Sequence, residues 1–322
     1  MGVHRKTEAM KTRIWAALIA IYLAWGSTYL AIHFAVQSIP PFFMTGVRFL
    51  VAGLVLYIWR RWAGDPAPTR TQWRSSVVIG NLLLVGGIGG VTWAEQYVPS
   101  GIAALIIAAT PLWVVLVEAM RRRGTRPTWI TTTGVLVGLT GITILIDPLK
   151  TSGDQHGYSV IGIIALLLAA LSWAIGSIYS HQVDLPKSAL LSTGVQLLAG
   201  SAGSFVLGLV TGEAGRLDIS GITLQSVAGL AYLIVVGSLI GFVCYTWLLR
   251  VAPTTLVITY AYVNPLVAVI LGSLLAQEVL TTKVILATPL ILSAVVLIYA
   301  RNRKGKPVEQ PRAVLQAPAG ED

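Results

Sequence analysis

Charged side chains are scarce in this sequence: only 11% of its 322 residues are Asp, Glu, Lys or Arg. A water-soluble domain carries about a quarter of such residues, and so few cannot hydrate the surface of a soluble fold. Lys and Arg outnumber Asp and Glu by 23 to 13, which taken alone would suit a nucleic-acid partner. The basic residues lie in short clusters between apolar runs, however, so the sequence predicts no binding to nucleic acid.

Side chains that carry catalysis or bind metals are equally few. The single cysteine, Cys244, lies in an apolar run, and the four histidines are scattered over tail and loop ends. The sequence has no Cys/His metal spacing and no HExxH, GxSxG or phosphate-binding GxxxxGK(S/T) motif. It therefore predicts no metal, no cofactor and no ATP-driven activity. A non-enzyme is favoured, and an intramembrane enzyme stays as the alternative from another class.

Long apolar runs dominate the chain instead. Ten of them reach about 20 residues, the length that crosses a bilayer core, and in lipid such runs must be helical to satisfy their own backbone groups. The sequence therefore predicts an all-α membrane protein with ten transmembrane helices. The predicted spans are 13–37, 41–62, 73–93, 99–120, 127–146, 157–180, 187–211, 223–249, 253–276 and 281–300.

The distribution of basic residues gives these spans an orientation. With the N-terminus in the cytoplasm, 19 of the 23 basic residues fall in cytoplasmic segments and three in outer segments. Short cytoplasmic segments carry such an excess of Lys and Arg. The sequence therefore predicts a multi-pass protein of a bacterial inner membrane with both termini in the cytoplasm.

The first five predicted spans repeat as the last five. Ala24–Tyr29 matches Ala174–Tyr179, and Thr45–Leu50 matches Thr193–Leu198. Because five is odd, the halves enter the membrane from opposite sides, which predicts two inverted-topology five-helix repeats of the kind that secondary transporters use. The predicted units are a basic cytoplasmic tail at 1–12, a first repeat at 13–146, a second repeat at 157–301 and a disordered cytoplasmic tail at 302–322.

Short motifs recur in order along this repeat. They are Ala24–Tyr29, Gly46–Leu50, Thr110-Pro111, Asn264-Pro265 and Gln277-Glu278. Together they resemble the EamA family of the drug/metabolite transporter superfamily, over nearly all of residues 14–300. The resemblance implies a basket of ten helices around a central cavity, and export of amino acids or related metabolites by alternating access. The alternative is multidrug efflux of broader specificity. Family members often carry an acidic residue where this chain has Asn264, so no carboxylate-based role is implied there.

Arg48 is the basic residue placed well inside a predicted span, about 9 Å past its outer boundary at 1.5 Å per residue. A charge within the membrane usually faces a cavity or a partner. We expect its guanidinium to hold a substrate carboxylate. Snorkelling to the outer interface and a structural bond to backbone carbonyls are the alternatives. Its counterpart in the second repeat is Gln196, which would make the site chemically asymmetric.

Two prolines occupy matching positions in spans four and nine. Pro111 and Pro265 each leave the carbonyl four residues earlier without its helical partner and bend the helix. Interruptions at matching positions in two halves predict hinges near a binding site. A static kink required by packing is the alternative.

Semi-polar stripes on the predicted helices mark the expected pathway, although interhelical bonding alone would also account for them. The predicted pathway residues are Arg48, Tyr29, Trp25, His33, Asn81, Trp173, Gln196, Tyr245 and Asn264. His33 and Glu95 lie near the predicted outer surface, where we expect them to be solvated. The expected partners are a small-molecule substrate and the bilayer. Any coupling is expected to use protons rather than sodium, and the oligomeric state stays open, with a monomer among the options.

Overall fold

The computed structural model describes residues 2–121, 128–146, 159–257 and 259–302. Within these ranges the chain is helical and contains no strand, which confirms the predicted all-α class. The α-helices are α1 (Gly2–Gly26), α2 (Thr28–Ala35), α3 (Pro41–Trp62), α4 (Arg70–Gly80), α5 (Gly90–Ala94), α6 (Ser100–Ala108), α7 (Thr110–Met120), α8 (Trp129–Ile146), α9 (Val160–Ser180), α10 (Ala189–Val210), α11 (Leu224–Tyr232), α12 (Gly241–Val251), α13 (Thr254–Val257), α14 (Tyr260–Leu275) and α15 (Thr282–Asn302).

Seven helical segments of the described chain are long and apolar enough to cross a membrane. They are Met10–Ala35, Pro41–Trp62, Arg70–Ala94, Ser100–Met120, Val160–Ser180, Ala189–Val210 and Leu224–Val251. Three shorter apolar helices, Trp129–Leu145, Tyr260–Leu275 and Thr282–Ile298, occupy the remaining predicted spans. Ten crossings therefore stay a prediction. The predicted tail at 302–322 lies outside the described residues except for Asn302, which ends α15.

Two of the span-length segments contain a π-helix in the middle. Residues Asn81–Gly89 join α4 to α5, and residues Leu233–Ile240 join α11 to α12. A π-helix of this length is rare, and such segments are often found at functional sites. When the residue numbers of the first segment are raised by 154, it overlaps the second segment. The same offset relates Thr69 to Thr223, and these two threonines cap α4 and α11.

The longest packing interface joins α3 to α10, and its contacts have two-fold symmetry. Gly46 faces the ring of Phe205, and a Cβ added to Gly46 would lie 2.7 Å from that ring. Gly194 faces Tyr57 in the same way, at 3.0 Å from the backbone nitrogen. Both pairs exchange under the offset of 148 that relates Thr45 to Thr193. The order of these contacts along the chain shows that α3 and α10 are antiparallel.

The interface between α8 and α15 also packs closely at glycine residues. Gly134 contacts Ile298, and Gly141 contacts Ile291, so these helices are also antiparallel and pack closely through glycine. Large apolar side chains on the outside of the bundle, such as Leu54 and Leu168, stay exposed. In a membrane these exposed faces are the surface that lipid covers.

Candidate functional site

Arg48 lies in the interior of the helical bundle. Its side chain is only 4% exposed, and its Nε donates to the hydroxyl of Ser238 at 3.0 Å. Nη2 lies against Gly237, 3.2 Å from the place that a Cβ would occupy there. The side chain therefore reaches from α3 to the second π-helical segment, and the snorkelling alternative is wrong because the guanidinium is buried rather than extended to an interface.

The charge of Arg48 has no carboxylate partner within the described part of the chain, although its guanidinium lies 5.4 Å from the centre of the Phe49 ring. None of the ion pairs described there includes it, and its buried Nη1 has no hydrogen-bond partner. Burying a cation without a partner carries a large desolvation cost. The arrangement therefore leaves Nη1 as a donor without an acceptor among the described residues, while the bond to Ser238 ties α3 to the second π-helical segment.

An aromatic wall adjoins this guanidinium. The indole nitrogen of Trp25 donates to the carbonyl of Gly237 at 3.0 Å, next to the residue that binds Arg48. The ring of Trp25 lies 5.2 Å from that of Tyr245 and 4.9 Å from that of Tyr260, measured between centroids. Three predicted residues, Arg48, Trp25 and Tyr245, are thus brought together around one π-helical turn.

Asn264 lies on α14 beside α1. Its backbone oxygen is 3.2 Å from the position of a Cβ added to Gly26, the residue after Trp25. The side chain is 9% exposed, and its Oδ1 is buried without a hydrogen-bond partner among the described residues. Asn264 therefore joins the group around Trp25 and adds a second unsatisfied polar atom to it.

Three further predicted residues, Trp173, Asn81 and Gln196, have their described contacts with other partners. Trp173 covers Gly87 of the first π-helical segment, and a Cβ added there would be 2.8 Å from the indole. Asn81 donates to the carbonyl of its own helix at Val77, 2.8 Å away, and Gln196 donates to Ser192 of its own helix at 3.0 Å. In this counterpart region the helices are bridged by a neutral side chain, because the hydroxyl of Ser172 on α9 donates to the carbonyl of Leu82 in the first π-helical segment at 2.7 Å.

The hydrogen bond from Arg48 to Ser238 has no equivalent at the matching positions, because both residues differ in the other repeat. Arg48 corresponds to Gln196, and Ser238 corresponds to Leu84 at the offset of 154. A leucine cannot accept a hydrogen bond, so the second repeat could not hold a guanidinium in this way. The asymmetry expected from Gln196 is therefore carried by two positions rather than one.

Tyr29 and His33 lie on α2, farther along the first span. Tyr29 packs against the apolar cluster that includes Ala94, Val98 and Ile102. The ring of His33 lies 5.6 Å from that of Phe34, and its Nδ1 is buried without a partner. Neither residue contacts the guanidinium of Arg48 through a described hydrogen bond.

The expectation of a solvated Glu95 is wrong. Its side chain is only 3% exposed, and neither carboxylate oxygen has a hydrogen-bond partner among the described residues. The sequence places Glu95 at the end of a span, but the turn that follows packs against α9, where Tyr97 and Val98 lie 3.1 and 2.6 Å from the position of a Cβ added to Gly162.

The fourth span is interrupted at its predicted hinge. Helix α6 ends at Ala108 and α7 begins at Thr110, with Pro111 in its first turn. The hydroxyl of Thr110 donates to the carbonyl of Ile107 at 2.6 Å, which satisfies the group that the proline cannot bind. The break therefore carries no unpaired carbonyl at this position.

Two further interruptions differ from the prediction. Pro265 lies within α14, and the ninth span is broken nearly two turns earlier, where Thr259 donates to Leu256 at 2.5 Å. The first span, predicted as one helix, breaks at Ser27, whose hydroxyl donates to the carbonyl of Leu23 at 2.5 Å. Such back-bonding by Ser and Thr competes with the helical ladder and bends it.

Two stretches of the chain, residues 12–146 and 160–300, match the sequence pattern of the EamA-like transporter family. The chain belongs to the EamA-like transporter family. The family pattern covers both predicted repeats and the whole group around Arg48, so the resemblance drawn from the short motifs is confirmed. Membership together with the seven span-length segments makes the protein a membrane transporter.

Relatives of this EamA-like transporter cover nearly its full length. The uncharacterized inner membrane transporter YedA of Escherichia coli strain K12 is 37% identical over 290 residues, which are 88% of this chain and 90% of YedA. Protein PagO of Salmonella typhimurium is 28% identical over 300 residues, 91% of this chain and 95% of PagO. Protein PecM of Dickeya dadantii is 26% identical over 300 residues, 91% and 96% of the two chains.

A solved crystal structure shares the fold of this EamA-like transporter. It superposes with a TM-score of 0.60 at 20% sequence identity, over 91% of this chain and 99% of the other. At this identity the similarity establishes the helical architecture alone.

Proposed function

We propose that the protein is a secondary exporter of amino acids or related zwitterionic metabolites. The substrate binds between two inverted-topology repeats and is released by alternating access, and both termini lie in the cytoplasm. In alternating access the two symmetric halves exchange roles between an inward-open and an outward-open state, and this requires two states of similar energy. The proposal has three supports, which are the symmetric scaffold, the buried Nη1 of Arg48 and the breaks in the spans.

The symmetric scaffold includes a matched pair of acidic residues. Oε2 of Glu213 accepts hydrogen bonds from the backbone nitrogens of Phe42 and Phe43, at 2.9 and 3.0 Å, at the start of α3. Its counterpart at the offset of 148 is Asp65, which bonds to Ser188 at the start of α10. Each acidic residue follows one helix of the α3–α10 pair and holds the beginning of the other. This exchange supports an inverted repeat.

The hydrogen bonds that Asp65 accepts favour the charged form of its carboxyl group. Hydrogen bonds first from Arg60 and then from Ser188 lower the pKa of its carboxyl group to about 2. The two Arg60–Asp65 bonds measure 2.8 and 2.9 Å. The Asp65 end of the α3–α10 pair therefore stays tied over the physiological range of pH, and the pair suits a rigid body around which other helices move.

The observation that carries the substrate class is the buried Nη1 of Arg48, a donor without a hydrogen-bond partner among the described residues. A carboxylate matches its fork in charge and geometry. The rings of Trp25 and Tyr245 lie on the adjacent wall, and aromatic faces attract an ammonium group. One small zwitterion can satisfy both, whereas a neutral sugar would leave the guanidinium without its charge partner.

The breaks in the first, fourth and ninth spans supply places where the helices can bend. Each is bordered by a hydroxyl that already satisfies a carbonyl, at Ser27, Thr110 and Thr259. Bending at these breaks disrupts few backbone hydrogen bonds, so the two conformations of alternating access stay close in free energy. We propose that the segments beyond these breaks move, with the break near Pro111 as one hinge.

One observation favours a second candidate, a multidrug exporter for lipophilic cations. Trp25 contacts three aromatic rings, those of Phe242, Tyr245 and Tyr260. Such a wall binds flat organic cations through their faces. The adjacent positive charge of Arg48 repels these ligands, so we place the zwitterion first.

A matched ligand screen on the purified protein separates the two. We expect neutral amino acids to raise the melting temperature, and their methyl esters, which lack the carboxylate, to have no effect. The amino acids that raise the melting temperature should then leave preloaded proteoliposomes faster than they leak from liposomes without the protein. Stabilisation by the esters and by lipophilic cations, without stabilisation by the free amino acids, would establish the multidrug alternative instead.

A further inference from the structure

The corner between α5 and α6 holds two carboxyl groups in opposite situations. Glu278 accepts hydrogen bonds from the nitrogen and the hydroxyl of Ser100, both at 2.7 Å, and from the nitrogen of Gly101 at 3.0 Å. Its carboxylate therefore caps the N-terminus of α6. Gln277, just before it, has a φ of 56°, a left-handed conformation that turns the chain so that Glu278 reaches this helix end.

Glu95 lies at the other side of the same corner and has no such donors. Its side chain is buried to 3% exposure, and both of its oxygens lack a hydrogen-bond partner among the described residues. An ionised carboxylate buried without donors is strongly destabilised, whereas the neutral acid loses far less. The described conformation therefore holds Glu95 in its protonated form.

The charged surroundings act in the same direction. Glu278 is the ionised group close enough to act on Glu95, and the phenol of Tyr29 on α2 faces it as well. Residues 160–170 of α9 and all of α6, which pack around this corner, carry no titratable side chain. Glu95 lies just outside the span Arg70–Ala94, and burial, followed by the charge of Glu278, raises its pKa well above the usual range of a glutamate.

Water can reach the neighbourhood of this corner when it loosens. A cavity of about 300 Å³ lies beside it, lined among others by Tyr97, Gly101 and Glu278. Tyr97, two residues after Glu95, is 45% exposed. A small separation of α5 from α6 would therefore hydrate the Glu95 carboxyl group, and a hydrated carboxyl returns toward its ordinary acidity.

We propose that Glu95 is a proton-binding site that controls the outer end of the transporter. With the corner closed, as described, Glu95 carries a proton. When the corner opens to the outer solution, its O–H bond breaks and the proton passes to water, and closing reverses the step. External acid therefore favours the closed form. The direction rests on the proposed function, because only the proposed topology places this corner on the outer side.

Infrared spectroscopy of the purified full-length protein tests the proton site without any substrate. Difference spectra between acidic and alkaline buffer should show the carbonyl band of a buried protonated carboxyl group. Glu95→Gln should remove this band, whereas Glu118→Gln, which alters a half-buried glutamate paired with Arg121, should retain it. A band that persists unchanged in Glu95→Gln would overturn the proposal.

A second variant covers a failure of Glu95→Gln to fold. Glu95→Asp keeps the carboxyl group but shortens the side chain, so the band should shift in frequency. A band that neither shifts nor weakens in Glu95→Asp belongs to another residue and counts against the proposal in the same way.

Flux measurements test the control of the outer end. Proteoliposomes loaded with a mixture of radiolabelled neutral amino acids are diluted into buffers of different external pH at fixed internal pH. Wild-type efflux should rise by up to about tenfold per pH unit while Glu95 remains mostly protonated, and Glu95→Gln should remove this dependence. An unchanged dependence in Glu95→Gln would refute control by this residue. A Glu95-dependent band without efflux of any amino acid would uphold the proton site and refute the proposed substrate class.

Discussion

The cap that Glu278 places on α6 allows a quantitative prediction. Glu278→Gln keeps one oxygen for the hydrogen bonds of Ser100 but turns an amide NH₂ toward the nitrogen of Gly101. A hydrogen bond to a charged group contributes about 1.5–3 kcal/mol, and the charge at the helix N-terminus about 0.3–1 kcal/mol more. We therefore expect the free energy of unfolding to fall by about 2–4 kcal/mol.

The assay is denaturation of the purified protein in mild detergent, followed by circular dichroism. The matched control is Glu118→Gln, which removes an exposed ion pair with Arg121 at 2.7 Å and should cost at most about 0.5 kcal/mol. A double-mutant cycle with Ser100→Ala should show a coupling of about 1 kcal/mol or more, since the two side chains bond directly. Equal losses in Glu278→Gln and Glu118→Gln would refute the reasoning.

Three further predictions address topology, packing and pH. In a variant without the native cysteine, Ala67→Cys should react with impermeant maleimide from the cytoplasmic side only, and Ser220→Cys from the outer side only. Gly241→Ala should lower the free energy of unfolding by about 1–3 kcal/mol, because the new Cβ would lie 2.3 Å from the indole nitrogen of Trp25. As the pH rises from the unfolded pKa of Glu95, about 4.3, to its raised folded pKa, the free energy of unfolding should fall by about 1.4 kcal/mol per pH unit, because the folded state binds one more proton than the unfolded state does.

The controls for these predictions come from the same chain. Labelling of either cysteine from the opposite side would contradict the proposed topology. Gly215→Ala should be neutral, because no atom lies within 4 Å of its added Cβ, and an equal loss there would discredit the packing argument. Glu95→Gln should remove its share of the pH dependence, and a slope that stays unchanged would show that other groups cause it.

Much of this fold could be predicted because its determinants are local or periodic. Apolar runs of span length specify helices in lipid, and the matched motifs at Thr45 and Thr193 indicate the repeat that the α3–α10 contacts display. The interior position of Arg48 followed from its place within an apolar run. These features need no knowledge of which helices are neighbours.

The rest depends on contacts between distant parts of the chain. Ser238 binds Arg48 across 190 residues, and nothing in either local sequence specifies that pair. Glu95 is buried where the turn after α5 packs against α9, so a residue at the end of a predicted span could not be distinguished from a solvated one. The π-helical segments lack a sequence signature as well. The break at Ser27 did have a signal, the Ser-Thr pair whose hydroxyls bond back to Leu23 and Trp25.

Affinity of the Arg48→Gln protein for neutral amino acids tests the central claim most directly. The substitution copies Gln196 of the second repeat, so it removes the charge with a side chain that the related scaffold already accommodates. Loss of a charge-assisted bond of about 1.5–3 kcal/mol corresponds to a roughly ten- to hundredfold weaker binding. Arg48→Lys should recover part of the loss, because an ammonium lacks the planar fork.

The matched control in the same titration is Ser238→Ala, which removes the hydrogen bond at 3.0 Å but leaves the charge of Arg48 in place. If Arg48 holds the substrate carboxylate, Arg48→Gln binds roughly ten- to hundredfold more weakly while Ser238→Ala binds nearly as the wild type does. If Arg48 only ties α3 to the π-helical segment, both variants melt at lower temperature and both bind normally, and unchanged affinity in a folded Arg48→Gln protein would contradict the account.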